Sequence, residues 1–80
     1  MPINTKDLDV KLEEILKKVF KIEKINLEDS IEDISEWDSL AHVQLISMIE
    51  KEFKIKIKFN DVMIMTSIPI IKKKIMNYLQ

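Results

Sequence analysis

An 80-residue chain with a formal net charge of −1 has room for one domain, residues 1–80, with a small core. Its hydrophobic (46%) and charged (34%) fractions are typical of a folded protein, while the absence of cysteine excludes disulfides and thiolate metal sites and a single histidine disfavours a zinc site. The absence of glycine excludes glycine-rich phosphate-binding loops, and the absence of arginine disfavours nucleic acid as a partner.

The first predicted element is an amphipathic helix that is capped by Asn4 or Thr5 and closes near Phe20 and Ile22. Its apolar positions recur at helical spacing: Leu8, Leu12, Ile15, Leu16 and Val19. Residues 1–14 show no signal-peptide pattern, and no apolar run approaches the ~18 residues of a membrane span. We therefore expect a cytoplasmic protein without a membrane span.

A long loop is predicted over residues 23–38, where the helical periodicity is lost. Scattered apolar residues suggest that this loop is anchored to the core: Ile25, Leu27, Ile31, Ile34 and Trp37. Residues 28–38 carry six acidic residues and no basic one, whereas the chain from residue 51 onwards carries seven lysines and two acids. A loop of this length without secondary structure of its own is often functional.

The second predicted helix lies in the stretch EWDSLAHVQLISMIEKEF, residues 36–53, and begins after Asp38, a strong N-cap residue. Helical spacing places one apolar stripe toward the core, which consists of Leu45, Ile46, Ile49 and Phe53. His42 lies at the edge of this stripe. We expect His42 to be satisfied there by a hydrogen bond. The other side carries two apolar residues among polar ones: Leu40, Val43, Gln44, Ser47, Glu50 and Lys51. This side is either a docking surface or an ordinary surface with scattered apolar residues.

FKIKIKF, residues 53–59, alternates apolar and charged residues, which by itself favours a strand. No second segment offers a convincing partner strand, so we predict an extended connector that buries Ile55 and Ile57. Asn60 is then predicted to cap a short helix that runs through Val62 to Met65.

The last predicted helix begins after Thr66 or Ser67, with Pro69 tolerated in its first turn. Its buried stripe is predicted to contain Ile68, Ile71, Ile75, Tyr78 and Leu79. The whole chain therefore predicts an all-α fold, a small four-helix bundle with a long first loop and a short third helix.

Ser39 stands directly after Asp38, although Asp38 alone is enough to cap the helix. The unpaired N–H groups and the positive dipole end of a helix start stabilise anions, so a phosphate ester on Ser39 would be well placed. No histidine flanks Ser39, and His42 lies toward the core, so we do not expect a serine hydrolase.

The stretch WDSLAHVQLISMIEKEF resembles the acyl and peptidyl carrier protein family, whose second helix begins with Asp-Ser-Leu. The resemblance rests on the V-x-L-I and E-x-E-F patterns that follow Asp-Ser-Leu, on the chain length and on the helix order, and it covers nearly the whole chain. It implies a carrier without catalytic activity of its own. Its serine would receive 4′-phosphopantetheine from coenzyme A and hold an acyl or aminoacyl group as a thioester.

Carried over by position, the resemblance makes Ser39 the covalent attachment site and Asp38 the cap beside which the modifying enzyme and its metal work. Leu40 and Val43, with Ser47 and Trp37, would dock partner enzymes. The implied partners are a phosphopantetheinyl transferase (holo-carrier synthase) and enzymes that load and transfer acyl groups. We expect a monomer that binds neither nucleic acid nor a metal ion of its own.

The charge of the second helix departs from the pattern of the fatty-acid carriers, which present a dense acidic strip there. Here Glu50 and Glu52 are offset by Lys51 and Lys54, and the acidity has moved into the preceding loop. We therefore expect the basic patches of general fatty-acid enzymes to attract this protein less strongly than they attract the acidic carriers. We therefore predict a specialised fatty-acid- or polyketide-type pathway with dedicated partners.

Two other functions are compatible with the same residues. An aminoacyl or peptidyl carrier shares the serine and the arm, and an unmodified helical interaction subunit shares the fold. A helix-turn-helix DNA-binding protein is disfavoured by the absence of arginine and by the net charge of −1.

Overall fold

The computed structural model describes residues 5–79, which form four α-helices and no β-strand. The helices are α1 (Thr5–Phe20), α2 (Ser39–Phe53), α3 (Phe59–Ile64) and α4 (Ile68–Leu79). The predicted all-α fold, with its long first loop and short third helix, is confirmed. Asn4, one of the two predicted caps of α1, lies outside the described residues.

One core is formed where α1 packs against α2 and α4. The largest side chains without exposed surface are Leu8, Leu12, Leu16, Leu45, Ile49, Met65, Ile68, Ile71 and Ile75. Their spacing along each helix confirms the predicted apolar stripes. Two partly exposed ion pairs also connect the helices, Lys11 with Glu52 at 3.2 Å and Lys72 with Asp9 at 2.7 Å. Pairs of this kind contribute little, so apolar burial holds these three helices together.

α1 and α2 end in the same way, at a lysine whose backbone has a positive φ of 56°, Lys21 after α1 and Lys54 after α2. The amide of the next residue donates to a carbonyl five residues back, at 3.2 Å after α1 and 3.1 Å after α2. Glycine usually occupies such a helix end because it has no Cβ, but this chain contains no glycine.

The long first loop is attached to the bundle by apolar side chains and by backbone pairing. Ile34 and Trp37 are buried, and Ile25 and Leu27 are partly buried. Ile31 was predicted as another anchor, which is wrong, because its side chain is 37% exposed. Its backbone is what attaches the loop: the Ile31 N–H donates to the Thr66 carbonyl at 2.8 Å, and the nearby Asp29 carbonyl accepts from the amide of Ile68, the first residue of α4, at 2.9 Å.

The segment between α2 and α3 is extended, as predicted, and it turns Ile57 into the core and half-buries Ile55. Glu50 was predicted to face outward with the polar side of α2, and this is wrong. Its side chain is half-buried, and Glu50 Oε2 accepts a hydrogen bond from the Ile57 N–H at 2.8 Å. A buried amide in an extended segment needs an acceptor, and Glu50 supplies it.

α3 begins at Phe59, one residue before the predicted cap Asn60. Its N-cap position is Lys58, which makes no side-chain capping bond, so the helix start has no sequence signal. α4 begins at Ile68, directly after the predicted cap Ser67, whose Oγ accepts from the Ile70 N–H at 3.4 Å.

Candidate functional site

Ser39 is the first residue of α2, and its side chain is exposed. Asp38 precedes it in an extended conformation (φ −102°, ψ −174°) and caps the helix: Oδ1 accepts from the Ala41 N–H at 2.8 Å. The Asp38 carbonyl accepts from the His42 N–H at 2.9 Å. Within residues 5–79, no group makes a hydrogen bond to Ser39 Oγ. Asp38 thus fixes the helix start and leaves the serine hydroxyl free.

The surroundings of Ser39 suit a phosphate ester but not self-catalysed chemistry. A phosphate on Oγ would lie at the positive end of the α2 dipole, and it would extend into solvent because the side chain is exposed. Among the described residues, no basic group is hydrogen-bonded to Oγ that could remove its proton. Chemistry at this hydroxyl would therefore need a base from another molecule.

A groove of about 520 Å³ opens beside Ser39 between α2 and α3. The residues that line it are Ile31, Trp37, Asp38, Ser39, His42, Val43, Phe59, Val62 and Met63. Most of these side chains are apolar, and two on the α3 side are strongly exposed, Phe59 at 74% and Met63 at 63%. The α3 wall of this groove was not predicted from the sequence. The four-residue spacing of Phe59 and Met63 on one short helix was the available signal.

The predicted docking residues fall into two groups. Leu40 (68% exposed), Val43 (61% exposed) and Ser47 lie on the outer face of α2, as helical spacing predicted. Trp37 was predicted to join them, but its side chain is only 3% exposed. It packs against Phe20, with ring centroids 5.3 Å apart, so it is a core residue that shows only a small surface at the groove.

His42 is the core-edge histidine that the sequence predicted, and both of its ring nitrogens are used. The Trp37 Nε1–H donates to His42 Nδ1 at 3.0 Å, and His42 Nε2 lies 2.9 Å from the Val62 carbonyl oxygen. Indole nitrogen can only donate, so Nδ1 carries no proton and Nε2 is the donor to Val62. The histidine therefore connects the first loop, α2 and α3.

A second polar cluster holds the other end of α3. The Tyr78 hydroxyl of α4 donates to Asp61 Oδ2 and accepts from the Lys58 N–H at 2.9 Å, and Lys74 Nζ lies 3.2 Å from Asp61 Oδ1. The hydrogen bond from Tyr78, followed by the ammonium of Lys74, lowers the pKa of Asp61. The same carboxylate raises the pKa of Tyr78.

Within residues 5–79, no group of three or more His, Cys, Asp or Glu side chains could hold a metal ion. None of the helices in that range is long and apolar enough to cross a membrane.

An exposed serine at a capped helix start, in a small four-helix bundle, offers a site where a covalent group could be attached. Residues 10–68 match the family described as phosphopantetheine attachment site, and the chain belongs to this family. It is accordingly a carrier protein, with 4′-phosphopantetheine as its covalent group and no catalytic activity of its own.

The fold is similar to that of a solved carrier. The solution NMR structure of the holo acyl carrier protein from Geobacter metallireducens is 29% identical in sequence, with a TM-score of 0.79. The match covers 88% of this chain and 83% of that protein. No curated protein sequence matches the chain.

Proposed function

We propose that this protein is an acyl carrier whose 4′-phosphopantetheine arm is attached to Ser39. The observation that carries the proposal is the free, exposed hydroxyl directly after the Asp38 cap of α2. A transferase would form the bond between Ser39 Oγ and the phosphorus of the arm as the phosphoanhydride bond of coenzyme A breaks. Asp38 keeps the helix start in place for that enzyme.

The outer face of α2 is the proposed docking surface for the transferase and for the enzymes that load and transfer the acyl group. Leu40 and Val43 are more than half exposed and lie one and four residues after Ser39, so an enzyme that reaches the serine also covers them. Ser47 continues the same face one turn further. An apolar pair at the centre of an interface, with polar groups around it, is the usual arrangement of a docking site.

The pathway is proposed to be a specialised one of the fatty-acid or polyketide type. The two glutamates of α2, Glu50 and Glu52, are balanced by Lys51 and Lys54, and Glu52 also pairs with Lys11 at 3.2 Å. α2 therefore presents little net negative charge to a basic patch, and long-range attraction has to come from the acidic loop, residues 28–38. Function as a monomer and location in the cytoplasm stay predictions.

The attachment site is tested by intact mass after incubation with a phosphopantetheinyl transferase and coenzyme A. The wild-type protein should gain the mass of one arm, and Ser39→Ala should fold normally and gain none. Ser35→Ala is the control, since it removes an exposed hydroxyl outside the docking face of α2 and should be modified like wild type. An alanine variant at position 39 that still gains the arm would place the attachment elsewhere. A wild-type chain that gains none would favour the unmodified interaction subunit.

The specialised pathway is tested by the rate of acyl transfer from an enzyme that recognises carriers through a basic patch. Wild type should be a poor substrate, and Lys51→Glu/Lys54→Glu should improve it, with the gain fading as salt screens charges beyond ~8 Å at physiological strength. Lys24→Glu/Lys73→Glu makes the same charge change at exposed positions away from α2. Equal gains from both double variants would show that only net charge matters, and a wild-type rate equal to that of a conventional acidic carrier would remove the support for dedicated partners. A peptidyl carrier would instead accept aminoacyl groups from an adenylating enzyme.

A further inference from the structure

α3 is weakly anchored by apolar contacts, although it forms a whole wall of the groove. None of its six residues is buried, and three of its apolar side chains are largely exposed: Phe59 (74%), Met63 (63%) and Ile64 (51%). Val62 is half-buried against the core, and Met65, just beyond the helix, is fully buried. A six-residue helix is not stable by itself, so polar contacts from neighbouring elements decide where α3 lies.

One of these polar contacts starts at the Ser39 end of α2. His42 lies less than one turn after Ser39, lines the groove and reaches across to the backbone of α3 at Val62, 2.9 Å away. On the other side of the ring, the Nε1–H of the buried Trp37 donates to His42 Nδ1 at 3.0 Å. The two rings are also stacked, with an interplanar angle of 27° and a centroid distance of 6.0 Å. The ring therefore has one orientation and one tautomer available, because each nitrogen has a fixed partner.

We propose that His42 is a positioning residue of this carrier: it holds α3 at a fixed distance from Ser39. The inference rests on the proposed function of Ser39. A partner that reaches the serine meets two apolar walls, Leu40 and Val43 on α2 and Phe59 and Met63 on α3. The relative placement of these walls depends on the hydrogen bond between His42 and the Val62 carbonyl. Trp37 acts through His42, since its indole N–H fixes the ring that makes this bond.

A purely structural role for His42 would have different consequences. In that case the imidazole would only satisfy the buried indole N–H of Trp37, and its loss would loosen all helices of the bundle together. A positioning role predicts a local effect on α3, and it predicts weaker recognition by enzymes that dock at the groove while the chemistry at Ser39 is unchanged. Exchange of individual amides and the kinetic constants of arm attachment separate the two roles.

The variants are His42→Leu, which removes both hydrogen bonds, and Trp37→Phe, which keeps a ring in the core and removes only the indole donor. Gln44→Leu is the matched control, because it introduces the same side chain at an exposed position of the same helix. Amide hydrogen exchange is measured by NMR on each unmodified protein. The chain has a single tryptophan, so one indole N–H signal reports directly on the bond to His42.

We expect the amides of α3 to exchange about fivefold faster in His42→Leu and less so in Trp37→Phe, while α1, α2 and α4 keep their rates. The ring nitrogens of wild-type His42 should show the Nε2–H tautomer, and the indole N–H of Trp37 should exchange faster in His42→Leu. Gln44→Leu should show the amide exchange rates of wild type in all four helices. Unchanged α3 exchange in both test variants, a uniform rise in all four helices, or an Nδ1–H tautomer in wild type would overturn the proposal.

Arm attachment gives the functional readout. The KM of the transferase for His42→Leu should rise by about fivefold with kcat within about twofold, since docking is weakened and the serine is untouched. A loss confined to kcat would contradict the proposal. Failure of the proposed function would look different, because a wild-type protein that is never modified would still show the exchange pattern of α3. If His42→Leu does not fold, Trp37→Phe and the wild-type tautomer still decide the question.

Discussion

α2 and α3 form the two walls of the groove beside Ser39, and they are held in place by different interactions. α2 has a side-chain cap and buries five residues: Ala41, Leu45, Ile46, Ile49 and Phe53. α3 has no side-chain cap and buries none of its residues, and it is tied to its neighbours through His42 on one side and Tyr78 on the other. The wall that bears the serine is therefore rigid by burial, whereas the opposite wall is placed by a few directional hydrogen bonds.

The largest expected effect is a difference in stability between α2 and α3 when the same substitution, isoleucine to alanine, is made in each. Ile49→Ala in α2 should lower the free energy of unfolding by roughly 2–5 kcal/mol, because a fully buried side chain is lost and a cavity remains. Ile64→Ala in α3 removes the same atoms from a side chain that is 51% exposed and should change stability by less than ~0.5 kcal/mol. Urea unfolding of both variants is the measurement, and equal losses would mean that the contrast between the helices is wrong.

A smaller, pH-dependent effect should come from the Tyr78 end of α3. Because the folded-state pKa of Asp61 is lowered from its ordinary value of 3.8, first by Tyr78 and then by Lys74, the carboxylate stabilises the fold above that value. This contribution is lost as the pH falls through the lower folded-state pKa. Asp61→Asn should thus be less stable than wild type near neutral pH, and the difference should shrink on acidification below about pH 4.

The measurement for Asp61 is thermal unfolding of wild type and Asp61→Asn over a series of pH values. Glu14→Gln, at an exposed position of α1, is the control for removal of one carboxylate. A difference between wild type and Asp61→Asn that stays constant down to pH 2 would show that the charge of Asp61 plays no part in holding α3.

The smallest effect on stability is expected at the outer face of α2. Leu40→Glu or Val43→Glu should change the free energy of unfolding by less than ~0.5 kcal/mol, since both side chains are largely exposed. Arm attachment or acyl loading should fall sharply if this face docks enzymes. Stability and loading rate are measured on the same preparations. A stability loss at Val43 as large as that at Ile49 would mean that this face is not a free surface.

The part of the molecule that could be predicted from sequence is the part held by periodic apolar burial. Asp38 marked the start of α2, and the apolar spacing in α1, α2 and α4 located their buried faces, because both signals lie within a few residues of the structure they specify. Ser39 and its exposed neighbours followed from the same pattern.

The contacts that place α3 and the first loop could not be predicted in this way. The Tyr78 hydroxyl binds the backbone of Lys58, twenty residues away, and the Ile31 amide binds the Thr66 carbonyl, thirty-five residues away. Neither hydrogen bond produces a pattern in the sequence, because every residue of these segments has the backbone group that is used. Ile31 was expected to anchor the loop through its side chain, which is exposed instead. Trp37 was expected both to anchor the loop and to dock partners, and its burial confirms the anchor.

The left-handed lysines that end α1 and α2 show how a chain without glycine can stop a helix. In both places a buried phenylalanine, Phe20 or Phe53, comes directly before Lys21 or Lys54, so a Phe–Lys pair is used twice as a stop signal. A residue with a Cβ costs about 1–2 kcal/mol in this conformation, but a positive charge at a helix C-terminus returns ~0.3–1 kcal/mol. The charge offsets only part of this strain, so each left-handed lysine ends its helix at a net cost in stability that a glycine would not carry.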